Sequence, residues 1–513
     1  MLALRGLLVA ATLLATPVAD PGPAAEAEAA FLLAVKRTRG PRTGDLFTLP
    51  NPYNFVSELG YDDEDFSHIP GRGLLRQHGT YHSTSWRYDK RVPLVFYGPG
   101  RVPAGRRLAA PATHQDLPAT YAWLMHTLPP RDCGGRVLRE AFGAAAAPPR
   151  VILTIVIDQG GRTLLAAHPG AYPHVAALMA GGTDFSNAES TALETETVPG
   201  HVGIGTGSWP GKSGTAANDF YASGLGTKQY FFTAETAHSP FWIETPTLAD
   251  AWLRETHNRA IVIGQSHADR AAIGMVGHGS AYVGNAKPIV VFYDTHSGHL
   301  ETNPSYYALP PYLADLDSGA YMRKFTGGTG RWMEHDIANA DAVRRSPVLV
   351  ELEGDAFARM IDHEPIGQDD VCDLLYVSFK SSDAVGHHYG YESEEAGAVL
   401  TAIDRQVDRL VKAVQAKAGA AHTLVVLTAD HGATPLPELS GGSRLRDTDL
   451  LARINQRFRS PQPGRPAAIY ATTGQIWLDR QVLAALHVTT MQVAGFVRTI
   501  KVDGKPFYRL VVL

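Results

Sequence analysis

Cysteine is scarce: the 513-residue chain holds two, Cys133 and Cys372. At most one intramolecular disulfide can form in an oxidising compartment, two unpaired thiols are the alternative, and the spacing argues against a cysteine-based zinc site. Long runs of one charge are missing too. The 46 basic and 51 acidic residues give a formal balance of −5 and are dispersed, so there is no nucleic-acid-binding signature. Beyond the leader no segment is apolar enough to span a bilayer, and no short-period repeat is present. None of this bears on oligomeric state.

Hydrophobic residues make up 44% of the chain, enough for a large core in one big α/β domain or two smaller ones. The leader MLALRGLLVAATLLATPVAD (residues 1–20) puts one arginine ahead of an apolar run at 6–15, with small residues suited to cleavage near Ala19. It reads as a secretory signal peptide, since an uncleaved anchor needs about 20 continuous apolar residues. A periplasmic or secreted protein is expected.

Residues 20–30 and 141–150 (AFGAAAAPPR) have the composition of linkers and separate a segment at 21–148 from one at 149–513. The later segment opens with VILTIVID (151–158), a β-branched run suited to a strand buried on both faces. DLLYVSFKSSD (373–383) and HTLVVLTAD (422–430) repeat the design, each read as a strand finishing on aspartate. An amphipathic helical pattern fills 394–415 between them. Strand, crossover helix and strand predict an α/β fold with a mostly parallel central sheet and helices on both faces.

In such a sheet ligands bind beyond the carboxyl ends of the strands, where Asp158, Asp383 and Asp430 emerge. One strand-terminal aspartate is usually a helix cap, but here two of the three come with histidine. Asp383 and His387 are four residues apart, so one turn of chain can aim both at one cation, and Asp430 is followed directly by His431. Zinc takes such mixed oxygen and nitrogen ligands, whereas magnesium favours oxygen alone, and the set is large enough for two metals. Between the strands, ETETVPGHVGIGTG (194–207) puts Thr197 at a turn into a helix, where backbone N–H groups can meet phosphate oxygens. A threonine hydroxyl needs a metal or base to act as a nucleophile, and a capping role is the commoner one.

These residues together resemble the alkaline phosphatase superfamily, in particular the threonine-nucleophile bacterial alkaline phosphatases and the nucleotide pyrophosphatase/phosphodiesterases. TVPGH (197–201) is similar to the nucleophile motif, DAVGH (383–387) to D-x-x-G-H, and TADHG (428–432) to T-A-D-H-G. The resemblance implies one zinc surrounded by Asp158, Thr197, Asp430 and His431, and a second by Asp383, His387 and another histidine. In the family that histidine lies near the carboxyl end. Here the similar stretch is GTYHSTSWRYD (79–89), followed by KRVPLVFYG (90–98), which makes His82 the expected ligand and His78 the runner-up. The order implies a circular permutation, with 21–148 resembling the family's C-terminal part, 149–513 its N-terminal catalytic part, and one catalytic domain overall. The rival account is a separate module or an inactive rearrangement.

The same resemblance makes Asn218 a phosphate ligand and aligns Ala268-Asp269-Arg270 with a K-D-R-like motif, keeping Arg270 but replacing the lysine. A monoester dianion should suffer more from that loss than a diester. The expected activity is two-zinc hydrolysis of small phosphate monoesters through a phosphothreonine. A phosphodiesterase or nucleotide pyrophosphatase is the alternative, with Phe220, Tyr221 and Phe292 as candidate pocket residues, and a non-catalytic exported binding protein is the third reading.

Overall fold

Strands Val151–Ile157, Asp373–Phe379 and Thr423–Thr428 are buried along their whole length, as continuous β-branched runs require. The computed structural model describes residues 18–57, 65–143, 148–222, 224–233, 237–284 and 287–513. Most of the expected signal peptide (1–17) and part of the second linker (144–147) lie outside the described residues.

Nine strands form the central sheet. Ile289–Tyr293, Val262–Ser266, Asp373–Phe379, Val151–Ile157 and Thr423–Thr428 lie side by side, all parallel. Leu94–Tyr97 pairs antiparallel with Thr423–Thr428 on one side and with Thr183–Glu189 on the other. Arg106–Thr113 closes that edge, parallel to Thr183–Glu189. A two-residue strand, Leu300–Glu301, runs antiparallel at the opposite edge. The segment before residue 148 thus supplies an interior strand and an edge strand to the sheet.

Alternation along each strand sends side chains to two cores. Val151, Leu153, Ile155 and Ile157 pack with helices Pro347–His363 and Glu394–Ala418, while Ile152 and Val156 pack on the other face with helices Asp116–Leu124, Thr197–Thr206 and Asp269–Val276. The 394–415 helical pattern is thus a real helix, three residues longer than the pattern suggests.

A four-stranded sheet, in the order Ala468–Ala471, Gln475–Leu478, Leu46–Pro50, Tyr508–Val512, again interleaves the first and last parts of the chain. Cys133 and Cys372 are free thiols. Among the described residues no helix is long and apolar enough to cross a membrane.

Candidate active site

The parallel strands end at one edge and deliver the acidic groups there. Asp158 follows Ile157 directly and Asp430 lies two residues beyond Thr428. The strand reading fails for Asp383: its strand stops at Phe379, and Asp383 sits in the first turn of helix Ser381–Tyr389. That helix places His387 one turn further on the same face, which is what a shared cation needs. Thr197 opens helix Thr197–Thr206 and is buried. Gly200, in the same first turn, packs so tightly on Asp430 that a Cβ there would stand 2.8 Å from the Asp430 Cβ. The helix that Thr197 opens is thereby pressed against the strand end.

Two donor groups form. In the first, His82 Nε2 and His387 Nε2 are 3.1 Å apart, and Asp383 Oδ1 lies 3.5 Å from His82 Nε2 and 3.2 Å from His387 Nε2. His387 Nδ1 is 3.0 Å from the Thr80 carbonyl oxygen, so this nitrogen carries the proton and Nε2 presents its lone pair. Gly79, with φ 70°, lets the chain carrying His82 pass against the His387 carbonyl, where a side chain would collide. His78 belongs to none of the donor groups among the described residues.

In the second group, His431 Nε2 lies 3.2 Å from Asp430 Oδ2 and 3.7 Å from Asp158 Oδ1. His431 Nδ1 donates to the Gly432 carbonyl oxygen at 2.8 Å, again freeing Nε2. Asp158 Oδ2, Asp430 Oδ2 and His431 Nε2 are buried without a hydrogen-bond partner. Orphaned buried acceptors of this kind are costly unless a cation satisfies them. The donor set therefore fits bound metal.

Electrostatics point the same way. Burial, with Asp430 close by, pushes the Asp158 carboxyl up to about 6. Burial opposes charge on Asp430 as well, but His431 and His201 hold it well below the usual carboxylate range. Asp383 is held low against its burial chiefly by Lys380 and His387. Burial and the neighbouring His431 depress His82, which keeps its imidazole neutral and able to ligate.

Four residues of the site escaped the sequence reading. Lys380, one residue past its strand, points its ammonium at Asp158 Oδ1 (3.1 Å), Thr197 Oγ1 (2.9 Å) and Asp383 Oδ2 (2.6 Å). A lysine at the end of a fully buried strand was the available signal. His201 is clamped between the Thr197 carbonyl oxygen (2.9 Å) and the Ser378 hydroxyl (2.8 Å), its Nδ1 3.4 Å from Asp430 Oδ2. Gln159, at φ 58°, donates its backbone N–H to Asp430 Oδ1 and its side-chain amide to Asp383 Oδ1. Glu196 accepts from Ser83 Oγ at 2.8 Å and from the Asn218 backbone N–H at 2.7 Å, tying the His82 segment to the loop before Thr197.

Asn218 stands beside Thr197, its side-chain oxygen accepting the Val198 N–H at 3.0 Å. Of the donors at the helix start, Val198 N–H is thus occupied, Pro199 has none, and Gly200 N–H goes to the Glu196 carbonyl. Arg270 donates to the Tyr230 hydroxyl at 2.7 Å and lines a cavity of about 150 Å³ together with Lys380 and Arg344. Of the aromatic candidates, Phe220 and Phe292 are buried in the core, though Phe292 also edges this cavity.

A buried hydroxyl at a helix start, flanked by two carboxylate–imidazole groups at the carboxyl edge of a mostly parallel sheet, defines a metal-dependent phosphoric ester hydrolase. The chain belongs to the type I phosphodiesterase / nucleotide pyrophosphatase family, whose model matches residues 152–490, within the alkaline phosphatase superfamily. It is 25% identical over 414 residues to the alkaline phosphatase PafA of Elizabethkingia meningoseptica, covering 69% of this chain and 73% of that protein. It is 26% identical to the alkaline phosphatase PhoD of Zymomonas mobilis, over 61% of this chain and 58% of that one. The crystal structure of wild-type PafA shares the fold, with a TM-score of 0.56 at 22% identity over 69% of this chain and 77% of that one.

Proposed function

We propose that this protein hydrolyses phosphate monoesters through a phosphothreonine at Thr197. The observation that carries the reading is that one ammonium, Lys380, joins the buried Thr197 Oγ1 to Asp158 and Asp383, one carboxylate from each donor group. Asp158, Asp430 and His431 with the Thr197 hydroxyl would hold one zinc, and Asp383, His387 and His82 the other. Bound zinc supplies Lewis acidity that lowers the pKa of a coordinated hydroxyl and offsets charge on a departing alkoxide.

The chain's own residues do the rest. His201 and the start of helix Thr197–Thr206 fix the nucleophile. Asn218 and Arg270 would face the transferring phosphoryl group, and in the second half-reaction water attacks phosphorus and releases Thr197 Oγ. Hydrolysis of an aryl phosphate by the purified protein, abolished in Thr197→Ala, tests the reading; an unchanged rate in that variant overturns it.

A phosphodiesterase is the second reading, favoured by Ala268 at the position where a lysine is expected. Relative turnover of an aryl phosphate and a bis-aryl phosphate separates the two. We further read the chain as circularly permuted and exported to the periplasm or beyond. The 3.1 Å approach of His82 to His387 and the interior position of Leu94–Tyr97 support the permutation, and the leader composition supports export.

A further inference from the structure

Lysine is missing from one strand end and present on the next. Strands Val262–Ser266 and Asp373–Phe379 are parallel neighbours in a register that pairs Ser266 with Ser378. Ala268 lies two residues past Ser266, and Lys380 two residues past Ser378. The two positions therefore sit at the same height on adjacent strands. They open on the same cavity of about 150 Å³, which Arg270 and Arg344 also line. His267, buried with both ring nitrogens unpartnered, faces it as well. One carboxylate, Asp269, also lines the cavity, but it is engaged by His238 at 2.9 Å, and three cations with an unsatisfied imidazole around a space this small describe a site for a compact, charged anion.

Lys380 is 3% exposed, and burying an ammonium is costly unless all its donors are used. One of its three contacts is Thr197 Oγ1 at 2.9 Å, the oxygen that would carry a phosphoryl group. A phosphorus atom bonded to that oxygen brings its non-bridging oxygens within reach of the same ammonium.

We infer that Lys380 is the phosphate-facing cation of this enzyme, supplying from the neighbouring strand the charge that Ala268 lacks and setting its preference for monoester dianions over diesters. The inference rests on Thr197 as the site of phosphoryl transfer. A dianion gains more than a diester from this extra charge, so Lys380 acts on specificity as well as rate.

The test uses zinc-loaded full-length protein and its variants Lys380→Met, Lys380→Arg and the double exchange Ala268→Lys with Lys380→Ser. Metal content per chain, kcat/KM on an aryl phosphate and a bis-aryl phosphate, and calorimetric binding of inorganic phosphate are measured for each. Lys380→Met should lower monoester kcat/KM by roughly 30-fold or more and diester kcat/KM by under about 3-fold, from the loss of one charge-assisted contact. Phosphate affinity should fall in parallel with metal content unchanged. Lys380→Arg and the double exchange should recover most of the monoester preference, which a loss of folding would not allow. Equal losses on both esters, a changed metal content, or unchanged phosphate affinity would each overturn the inference. Should the parent protein hydrolyse neither ester, the proposed function fails by itself, and phosphate affinity still decides the role of Lys380.

Discussion

His82 and His387 meet ring nitrogen to ring nitrogen at 3.1 Å although 305 residues separate them. His387 is protonated on Nδ1 toward Thr80, and His82 Nδ1 lies 3.2 Å from Ser83 Oγ, whose own hydrogen goes to Glu196. With both Nδ1 atoms protonated the two Nε2 lone pairs face each other, and a cation between them removes the conflict. His82→Ala should therefore lose about one metal ion per chain and at least about 100-fold in kcat/KM. His78→Ala should stay within about 2-fold of the parent. Elemental analysis beside steady-state kinetics checks both, and a reversed ranking would return the ligand role to His78.

Thr197→Ser keeps a hydroxyl at the helix start, primary instead of secondary, and should retain measurable turnover, while Thr197→Ala should remove covalent labelling altogether. Acid-quenched protein incubated with substrate, digested and analysed by mass spectrometry, should carry an added phosphoryl group on the peptide containing Thr197. Labelling elsewhere would assign another nucleophile.

Chelation leaves Asp158 Oδ2, Asp430 Oδ2 and His431 Nε2 as buried acceptors without partners. Removing metal should abolish hydrolysis and lower the midpoint of thermal unfolding, and zinc should restore both where magnesium alone does not. Recovery with magnesium alone would count against zinc at a site that includes three imidazoles.

Glu353 is buried in helix Pro347–His363, and burial raises its carboxyl from 4.5 to about 8. The folded protein keeps this proton between pH 5 and 8 while the unfolded chain releases it, so folding stability falls as pH rises through that window. The drop attributable to this group is up to about 4 kcal/mol. Glu353→Gln should flatten the dependence and stabilise the protein at pH 8. Urea unfolding at pH 5.5 and 8 measures it, and parallel curves for the two proteins would remove Glu353 as the cause.

Much of the site was legible because metal chemistry needs particular side chains at short spacing, as at Asp383 and His387 or Asp430 and His431. Strand periodicity located Val151–Ile157 and Thr423–Thr428 well, but it overran at Asp383, since Lys380-Ser-Ser is equally compatible with strand exit and helix entry. Lys380 itself was passed over because, although Asp383 is three residues on, the partners that give it meaning, Asp158 and Thr197, are 222 and 183 residues away. The antiparallel Leu94–Tyr97 was invisible for the same reason: four residues carry no periodicity that names their neighbours, and pairing is decided by tertiary packing.

Leu94–Tyr97 also constrains how the chain acquires its shape. Synthesised early, it must wait for Thr423–Thr428, more than three hundred residues downstream, before its interior slot exists. Contacts this distant in sequence delay folding and leave the first part of the nascent protein with unpaired strand edges and uncovered apolar surface. This chain order therefore prolongs the time for which apolar surface is open to aggregation, and premature termination anywhere before residue 428 yields a product with an unfilled sheet.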